Sequence, residues 1–415
     1  MHIWNLSLQI GIFPKCYKKS DIIPLPKVKH PKNVKDVRGI SVTPIAARLF
    51  EKMVHRRWIS SNILSRGDAL QFAYKKGLST IDYLLCLQHF ILGHLDKSSV
   101  DGIHVVAVDF SMAFDRVDQE IAAMNYNKFI DSLHISKWLY NFTINRMQRL
   151  IWRDTPYEYV HIERGCSQGT VGGPSIFSML TDDVQASDPS CSIFKYSDDM
   201  CCAIPCLSDP NNVDKSIFHR EMNHFYKTVK LKGLSINIEK TKHIRFCLNN
   251  VPVCKCLPSV TSCSQVSEQK ILGVIFEENC SFKKHCKSLL SHLRSLLFLF
   301  KDLKLKSVPL RDIGRFFNGI IVSRIRYGIS VYGSDTRSLK KIDKFLEKCY
   351  DKQYCTQRIF VNDILRSEDK RLLHEILCNT RHPLYDYLTS HFKHRITRHG
   401  FYSVKPKTRT LLFAS

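Results

Sequence analysis

The sequence predicts an α+β protein, and three stretches carry that reading. Residues 103–110 are a run of apolar and β-branched side chains (Ile103, Val105, Val106, Val108) that ends on Asp109 and Phe110. Residues 193–204 set β-prone Ile193, Phe194 and Tyr196 ahead of Asp198 and Asp199, then turn apolar again from Cys201. That is the pattern of a tight hairpin carrying two carboxylates at its tip. Residues 282–303 repeat Phe282, Leu289, Leu293, Leu296, Phe300 and Leu303 at helical spacing, with Lys283, Lys284, Lys287, Arg294 and Lys301 elsewhere on the surface.

Composition narrows the partners. The chain has 415 residues, long enough for two or three domains, and 44% hydrophobic with 24% charged content is ordinary for a globular protein. The balance of 62 Lys+Arg against 38 Asp+Glu, a net +24, is not ordinary and points to a polyanion, nucleic acid before an anionic membrane surface. No apolar run reaches the roughly 18 residues needed to span a bilayer. Leu6 to Phe13 is short, interrupted by Gln9 and Gly11, and has no basic leader, so no signal peptide is expected. The 16 Cys are then expected as reduced thiols of an intracellular protein, in the nucleus, the cytoplasm or both. Neither Cys254, Cys256 and Cys263 nor Cys280, His285 and Cys286 has a recognised zinc-ligand spacing.

Along the chain, Ile22-Ile23-Pro24-Leu25-Pro26-Lys27 reads as extended, because residues before Pro avoid the helical region. A loop with Lys27, Lys29, Lys32, Lys35 and Arg38 follows, suited to phosphate or simply to solvent. Thr43 as N-cap with Pro44 at the first position predicts a helix through Ile45, Leu49, Met53 and Val54. Ser79 or Thr80 caps a helix through Leu84, Leu87 and Ile91. After Asp109 the chain turns into a helix for which Asp115 or Asp118 is the better cap. Residues 133–164 interleave Trp138, Tyr140 and Trp152 with Arg146, Arg149 and Arg153, a pattern that stacks on bases but more often fills a core. Arg164 to Pro174 is a Gly-rich loop that fits neither the dinucleotide nor the P-loop fingerprint. A second helical stretch is expected over 313–327, and the chain beyond about residue 335 is basic and less patterned.

Adjacent carboxylates repel, and a divalent cation between them relieves the repulsion. Asp-Asp pairs are also common in solvated turns. The order of the signals decides. Nucleotidyl transfer uses two metal ions about 3.5–4 Å apart, one at the attacking hydroxyl and one at the leaving pyrophosphate. Asp109 on one strand and Asp198 with Asp199 on a neighbouring hairpin can hold such a pair.

The series Ile23-Pro24-Leu25-Pro26-Lys27, Val37-Arg38-Gly39-Ile40-Ser41, Phe50-Glu51-Lys52, Gln71-Phe72, Ser79-Thr80, Val108 through Asp118, Ser167-Gln168-Gly169 with Gly173-Pro174, Tyr196-Ser197-Asp198-Asp199, Asn237 with Lys240-Thr241, and Leu272-Gly273-Val274 resembles the reverse transcriptase domain of non-LTR (LINE-like) retrotransposons. The resemblance covers about residues 12–335. It implies a right-hand fold with an antiparallel palm sheet bearing the catalytic carboxylates. Fingers are expected at 1–100, palm at 101–265 with a fingers-associated insertion near 126–160, thumb and primer grip at 266–335, and a basic tail or partial connection region at 336–415.

The same resemblance implies an RNA-directed DNA polymerase acting on an RNA template, a DNA primer or target, and dNTPs. Asp109, Asp198 and Asp199 would bind two Mg²⁺ ions, with Mn²⁺ able to substitute; whether Asp199 ligates directly or supports its neighbour stays open. Phe114 would be the steric gate against a ribose 2′-OH. Lys27 and Arg38 would meet the triphosphate, Gln168 and Gly169 would line the pocket, and Lys240 would serve as proton donor to pyrophosphate. Leu272 and Gly273 would form the primer grip, and the 282–303 helix would lie along the duplex. Gly39 stands where the family mostly has Pro, Ala73 and Leu78 where it has Gly and Arg, and Ser197 where Ala is usual. No endonuclease domain precedes Met1 and no Cys-His knuckle follows the thumb, so a fragment of a longer element is expected. A non-catalytic nucleic-acid-binding remnant is the alternative.

Overall fold

The computed structural model describes residues 2–166, 169–207, 213–247, 263–392, 396–397 and 400–401. They fall into two compact units. The first comprises Met1–Lys76, Val108–Met200 and Arg220–Lys240; the second comprises Gly77–Ala107, Cys201–His219 and Thr241–Ser415.

In the first unit the strand Lys19–Pro26 pairs antiparallel with Val37–Val42 and parallel with Arg146–Trp152. Leu25 sits opposite Arg38 and Pro24 opposite Gly39. Gly39 therefore lies within a strand, not in a turn, and a Cβ there would meet Ile22 Cγ2 at 2.9 Å. The core beside this sheet is aromatic: Phe13 and Phe50 pack edge-on against Trp138 at 5.3 and 5.1 Å, and Trp4 stacks on Phe50. Trp138 is buried, and its indole N–H donates to Ser7 Oγ at 3.0 Å. Of the interleaved aromatics, Trp138 is thus core, whereas Trp152 is exposed with Arg153 over its ring.

The helix Ile45–Val54 begins one residue later than expected. Pro44 stands at its N-cap without a side-chain bond, and Thr43 is buried. Phe50 and Val54 on its inner face are fully buried. The short helix Gln119–Met124 is capped by Asp118, whose carboxylate accepts the amides of Glu120 and Ile121 at 3.1 Å each.

In the second unit Val100–Val108 runs antiparallel to Lys242–Phe246, with Val105 opposite Ile244, and Ser264–Gln265 extends that sheet in parallel. The helix Thr80–Leu95 opens on a reciprocal cap: Ser79 Oγ accepts the Ile81 amide while Asp82 accepts the Ser79 amide at 2.7 Å. The single helix expected over 282–303 is two, Lys283–Ser295 and Leu297–Leu305. Leu296 to Phe300 is apolar all round, so no one stripe continues through it, and Phe298 is left exposed. The 313–327 stretch is likewise Leu310–Phe317, one wider turn at Asn318–Val322, and Ser323–Arg326. Among the described residues beyond 335, where a less patterned chain was expected, three helices stand, Thr336–Asp351, Val361–Leu377 and Tyr385–Phe392.

Candidate active site

Asp109 follows directly on the end of its strand at Val108. The chain there is held by the segment before Lys240: Ser111 N donates to Ser235 O at 2.8 Å, and Asn237 N to Asp109 O at 2.7 Å. Asn237 Oδ1 then accepts the Lys240 amide at 3.3 Å, which fixes the backbone that presents the exposed Lys240. Two segments distant in the sequence, at Asp109–Ser111 and Ser235–Lys240, are in this way stitched into one ledge.

The expected hairpin is present. Ser192–Tyr196 leads through Ser197 and Asp198 into the strand Asp199–Leu207. Backbone φ is +62° at Ser197 and not positive at Asp198, the sign pattern of a type II′ turn. That position favours Gly, so a serine there is strained and needs outside support. Two side chains supply it: Gln71 Oε1 accepts the Ser197 amide at 3.2 Å, and the Tyr74 hydroxyl meets Ser197 Oγ at 2.9 Å. Sequence reasoning placed Gln71 in a motif without a role and assigned none to Tyr74.

Phe114 lies in the turn after Asp109, half-buried, stacked on Phe177 at 4.8 Å. The Gly-rich loop locks this turn from the other side. Gly165 N donates to Val117 O at 2.7 Å and Cys166 N to Phe114 O at 2.9 Å. Gly165 has φ +92°, and a Cβ would strike Asp115 O at 2.9 Å, so only glycine permits this approach. Gly169 also has positive φ and lies against the strand Val37–Val42, where a Cβ would be 3.2 Å from Ser41 O. Gln168, expected beside it, lies outside the described residues.

Lys27 and Arg38 are both exposed at the end of the first-unit sheet, where Arg38 faces Leu25, two residues before Lys27, and the Lys27 amide donates to Asp36 O at 2.7 Å. Leu272 and Gly273 form the two-residue turn between Glu268–Ile271 and Val274–Glu277, with φ of +41° and +91°. They belong to the second unit, whereas the other candidate residues belong to the first. Tyr327 reaches under this turn, donating to Leu272 O at 2.5 Å, a contact that no local sequence signal announces.

The electrostatics tie the acids together. Lost hydration raises the Asp109 carboxyl above its usual range; Asp198 adds to the rise and Lys240 opposes it. Asp199 is pushed up to about 6 by lost hydration, then by the charges of Asp198 and Asp109. Its side chain still reaches solvent, so its hydration is lost only in part. Among the described residues, no three His, Cys, Asp or Glu are gathered closely enough to form a ready-made metal cage. The three aspartates are an open set of hard oxygen donors with too little positive charge around them, a donor chemistry that suits Mg²⁺ or Mn²⁺.

The helices of the described residues include none long and apolar enough to cross a membrane. Residues 26–276 match the family described as reverse transcriptase (RNA-dependent DNA polymerase). The RNA-directed DNA polymerase from mobile element jockey of Drosophila funebris is 25% identical over 358 residues, 82% of this chain and 38% of that protein. A putative 115 kDa protein in type-1 retrotransposable element R1DM of Drosophila melanogaster is 25% identical over 305 residues, 69% of this chain and 27% of that protein. The chain thus spans less than two fifths of the length of these relatives. Among solved structures, telomerase from Candida tropicalis with a fragment of telomeric RNA is 12% identical, with a TM-score of 0.46 over 94% of this chain and 63% of that one. The expected likeness to non-LTR retrotransposon polymerases is borne out by these relatives. With the matched segment covering more than half of its length, the chain belongs to the reverse transcriptase (RNA-dependent DNA polymerase) family.

Proposed function

We propose that this chain is the polymerase part of a non-LTR retrotransposon protein and extends a DNA 3′ end on an RNA template with dNTPs. The observation that carries this reading is the placement of Asp109 just past its strand, bonded to the segment before Lys240, and of Asp198 and Asp199 at the hairpin turn, with the charges of the three acids acting on one another, beside the turn that bears Phe114. Residues 1–100 are read as fingers, 101–265 as palm, 266–335 as thumb and primer grip, and 336–415 as a tail or partial connection region.

Asp109, Asp198 and Asp199 would hold two Mg²⁺ ions, which when bound lower the pKa of the attacking 3′-hydroxyl and offset charge on the leaving pyrophosphate. Phe114 closes the space that a 2′-hydroxyl would need and so admits dNTPs. Lys27 and Arg38 draw in the triphosphate from the sheet end. Gly169 gives backbone access to the base pair, with Gln168 beside it. Lys240, already within the field of Asp109, hands a proton to the departing pyrophosphate. Leu272 and Gly273 present backbone to the primer strand, and the Lys- and Arg-rich surface of Lys283–Ser295 follows the phosphates. A partner endonuclease domain from the same element and action within the cell, in nucleus or cytoplasm, complete the reading.

The test is incorporation of dTTP on oligo(dT)-primed poly(rA) with Mg²⁺ or Mn²⁺. Wild-type protein is expected to extend the primer and Asp198→Asn protein is not. Salt-sensitive binding without extension would instead mark a non-catalytic nucleic-acid-binding remnant, and extension by the Asp198→Asn protein would remove the assigned site.

A further inference from the structure

Beside the hairpin strand, still within the first unit, lies a cluster of two buried cations, Lys195 and Lys75, and two partly buried anions, Asp68 and Asp182, that the reaction does not use. Lys195 is 0% exposed. Its ammonium donates to the carbonyls of Thr181 at 2.8 Å, Val184 at 2.9 Å and Asp182 at 3.2 Å, which accounts for its three protons. Asp68 Oδ2 stands 2.7 Å from the same nitrogen, so that contact is ionic and not an additional directed hydrogen bond. Asp68 is itself fixed. Its Oδ1 accepts the Leu70 amide, its own amide donates to Asp182 Oδ1 at 2.7 Å, and Lys75 Nζ donates to its carbonyl at 2.5 Å.

A fully buried ammonium is unfavourable unless it is paired and hydrogen-bonded, so the position of this one calls for a reason. Lys195 is three residues before Asp198. Its amide donates to Leu70 O and its carbonyl accepts the Phe72 amide, both at 2.9 Å, so Gln71 lies beside it in a single parallel bridge. From there Gln71 and Tyr74 reach the Ser197 amide and hydroxyl. Tyr74 shares the positive φ of Ser197, +62° at each. Two strained residues facing one another persist only where the surroundings over-determine them.

We propose that Lys195 is a positioning residue: through its buried ion pair with Asp68 it clamps the strap formed by residues 68–75 to the hairpin and so fixes the turn that carries Asp198 and Asp199. The inference rests on the polymerase reading for its functional consequence, but the clamp itself is read without catalysis. Lys195 touches no substrate. It acts through the strap, Gln71 and Tyr74.

The full 415-residue chain is compared with Lys195→Met and with the double variant Lys195→Met/Asp68→Asn, which leaves no orphan carboxylate. Amide hydrogen exchange over residues 194–201, Mn²⁺ affinity by electron paramagnetic resonance, the urea midpoint, and kcat and KM for dTTP are measured on each. The double variant is expected to regain only part of the urea midpoint, because the Thr181, Asp182 and Val184 carbonyls still lack their donor, while exchange over the turn stays at least about tenfold faster than in wild type. Mn²⁺ affinity falls in both, and kcat falls by about tenfold or more while KM for dTTP changes little. A double variant with wild-type exchange and kcat overturns the proposal, and it decides the matter even if Lys195→Met alone does not fold. If the wild type extends no primer, the polymerase reading fails, while the exchange measurement still confirms or rejects the clamp.

Discussion

Glu51 Oε1 accepts the backbone amide of Gly172 at 2.5 Å, joining the helix Ile45–Val54 to the end of the Gly-rich loop in a site where Glu51 is 4% exposed. Burial raises the carboxyl above its usual range, and bonds from Gly172, Thr170 and Val171 together with the charge of Arg146 pull it back. The loop that packs against the Phe114 turn is therefore anchored by one carboxylate. Glu51→Ala leaves several buried donors unmatched and is expected to lower stability by about 2–3 kcal/mol in urea unfolding. Gly172→Ala brings a Cβ within 2.8 Å of Glu51 Oε1 and 3.2 Å of the Phe142 ring. It should be destabilising too, and less so in a Glu51→Ala background, because the two changes share one contact. Equal costs in both backgrounds would show that the anchor is not shared.

Phe114 stacks on Phe177 and cannot swing away without losing that ring contact. If it excludes the 2′-hydroxyl, Phe114→Val should raise rNTP use relative to dNTP use on the order of 10–100-fold. The measurement is the ratio of kcat/KM for UTP and dTTP on the same primed template. An unchanged ratio with retained dTTP incorporation would remove Phe114 as the gate.

How much of this was legible beforehand depends on sequence distance. The Ser79/Asp82 cap, the Asp118 cap and the Asp198–Asp199 hairpin are local patterns, and each lies where its spacing requires. The helix break at Leu296 was not legible, because an apolar run continues through it and only packing decides where the helix turns; at Asn318 the pattern is interrupted by Asn318-Gly319, a local breaker signal that the expectation of one helix over 313–327 passed over. Lys195 was hidden for a different reason. It is one of 62 basic residues, and nothing local distinguishes a buried lysine from a solvated one; its partner Asp68 is distant in the chain. Tyr327 under the Leu272–Gly273 turn was hidden in the same way.

That Tyr327 contact makes a prediction in the second unit. Gly273 has φ +91°, and a Cβ would sit 3.1 Å from Tyr327 Cε1. Gly273→Ala combines left-handed strain with this crowding and should lower stability by more than about 1 kcal/mol. Tyr327→Phe loses the hydroxyl's bonds to the Leu272 carbonyl and to Thr80 Oγ1, at a cost of about 0.5–1.5 kcal/mol. Thermal unfolding of the two variants measures both costs, and a Gly273→Ala protein as stable as wild type would refute the strained turn.

A buried histidine pair sets the response of the second unit to acid. His104 Nδ1 and His243 Nε2 are 2.9 Å apart, and both rings are buried beside Arg245. Burial and then Arg245 hold His243 down at about 4; burial, His243 and Arg245 hold His104 well below 6.5. A ring-to-ring hydrogen bond needs an unprotonated acceptor nitrogen, which agrees with both directions. On unfolding each ring regains a pKa near 6.5, so between about pH 6.5 and 4 the unfolded chain binds more protons than the folded one. Stability therefore rises with pH across that window. Above it the pair has no effect, and on acidification from pH 6.5 to 4 His243 alone removes about 3 kcal/mol. The His104→Phe/His243→Phe variant, whose rings keep the packing against Phe218, should show a flatter decline of its urea midpoint over the same range. Parallel pH profiles for variant and wild type would mean that the pair is already protonated in the folded protein or that it titrates alike in both states.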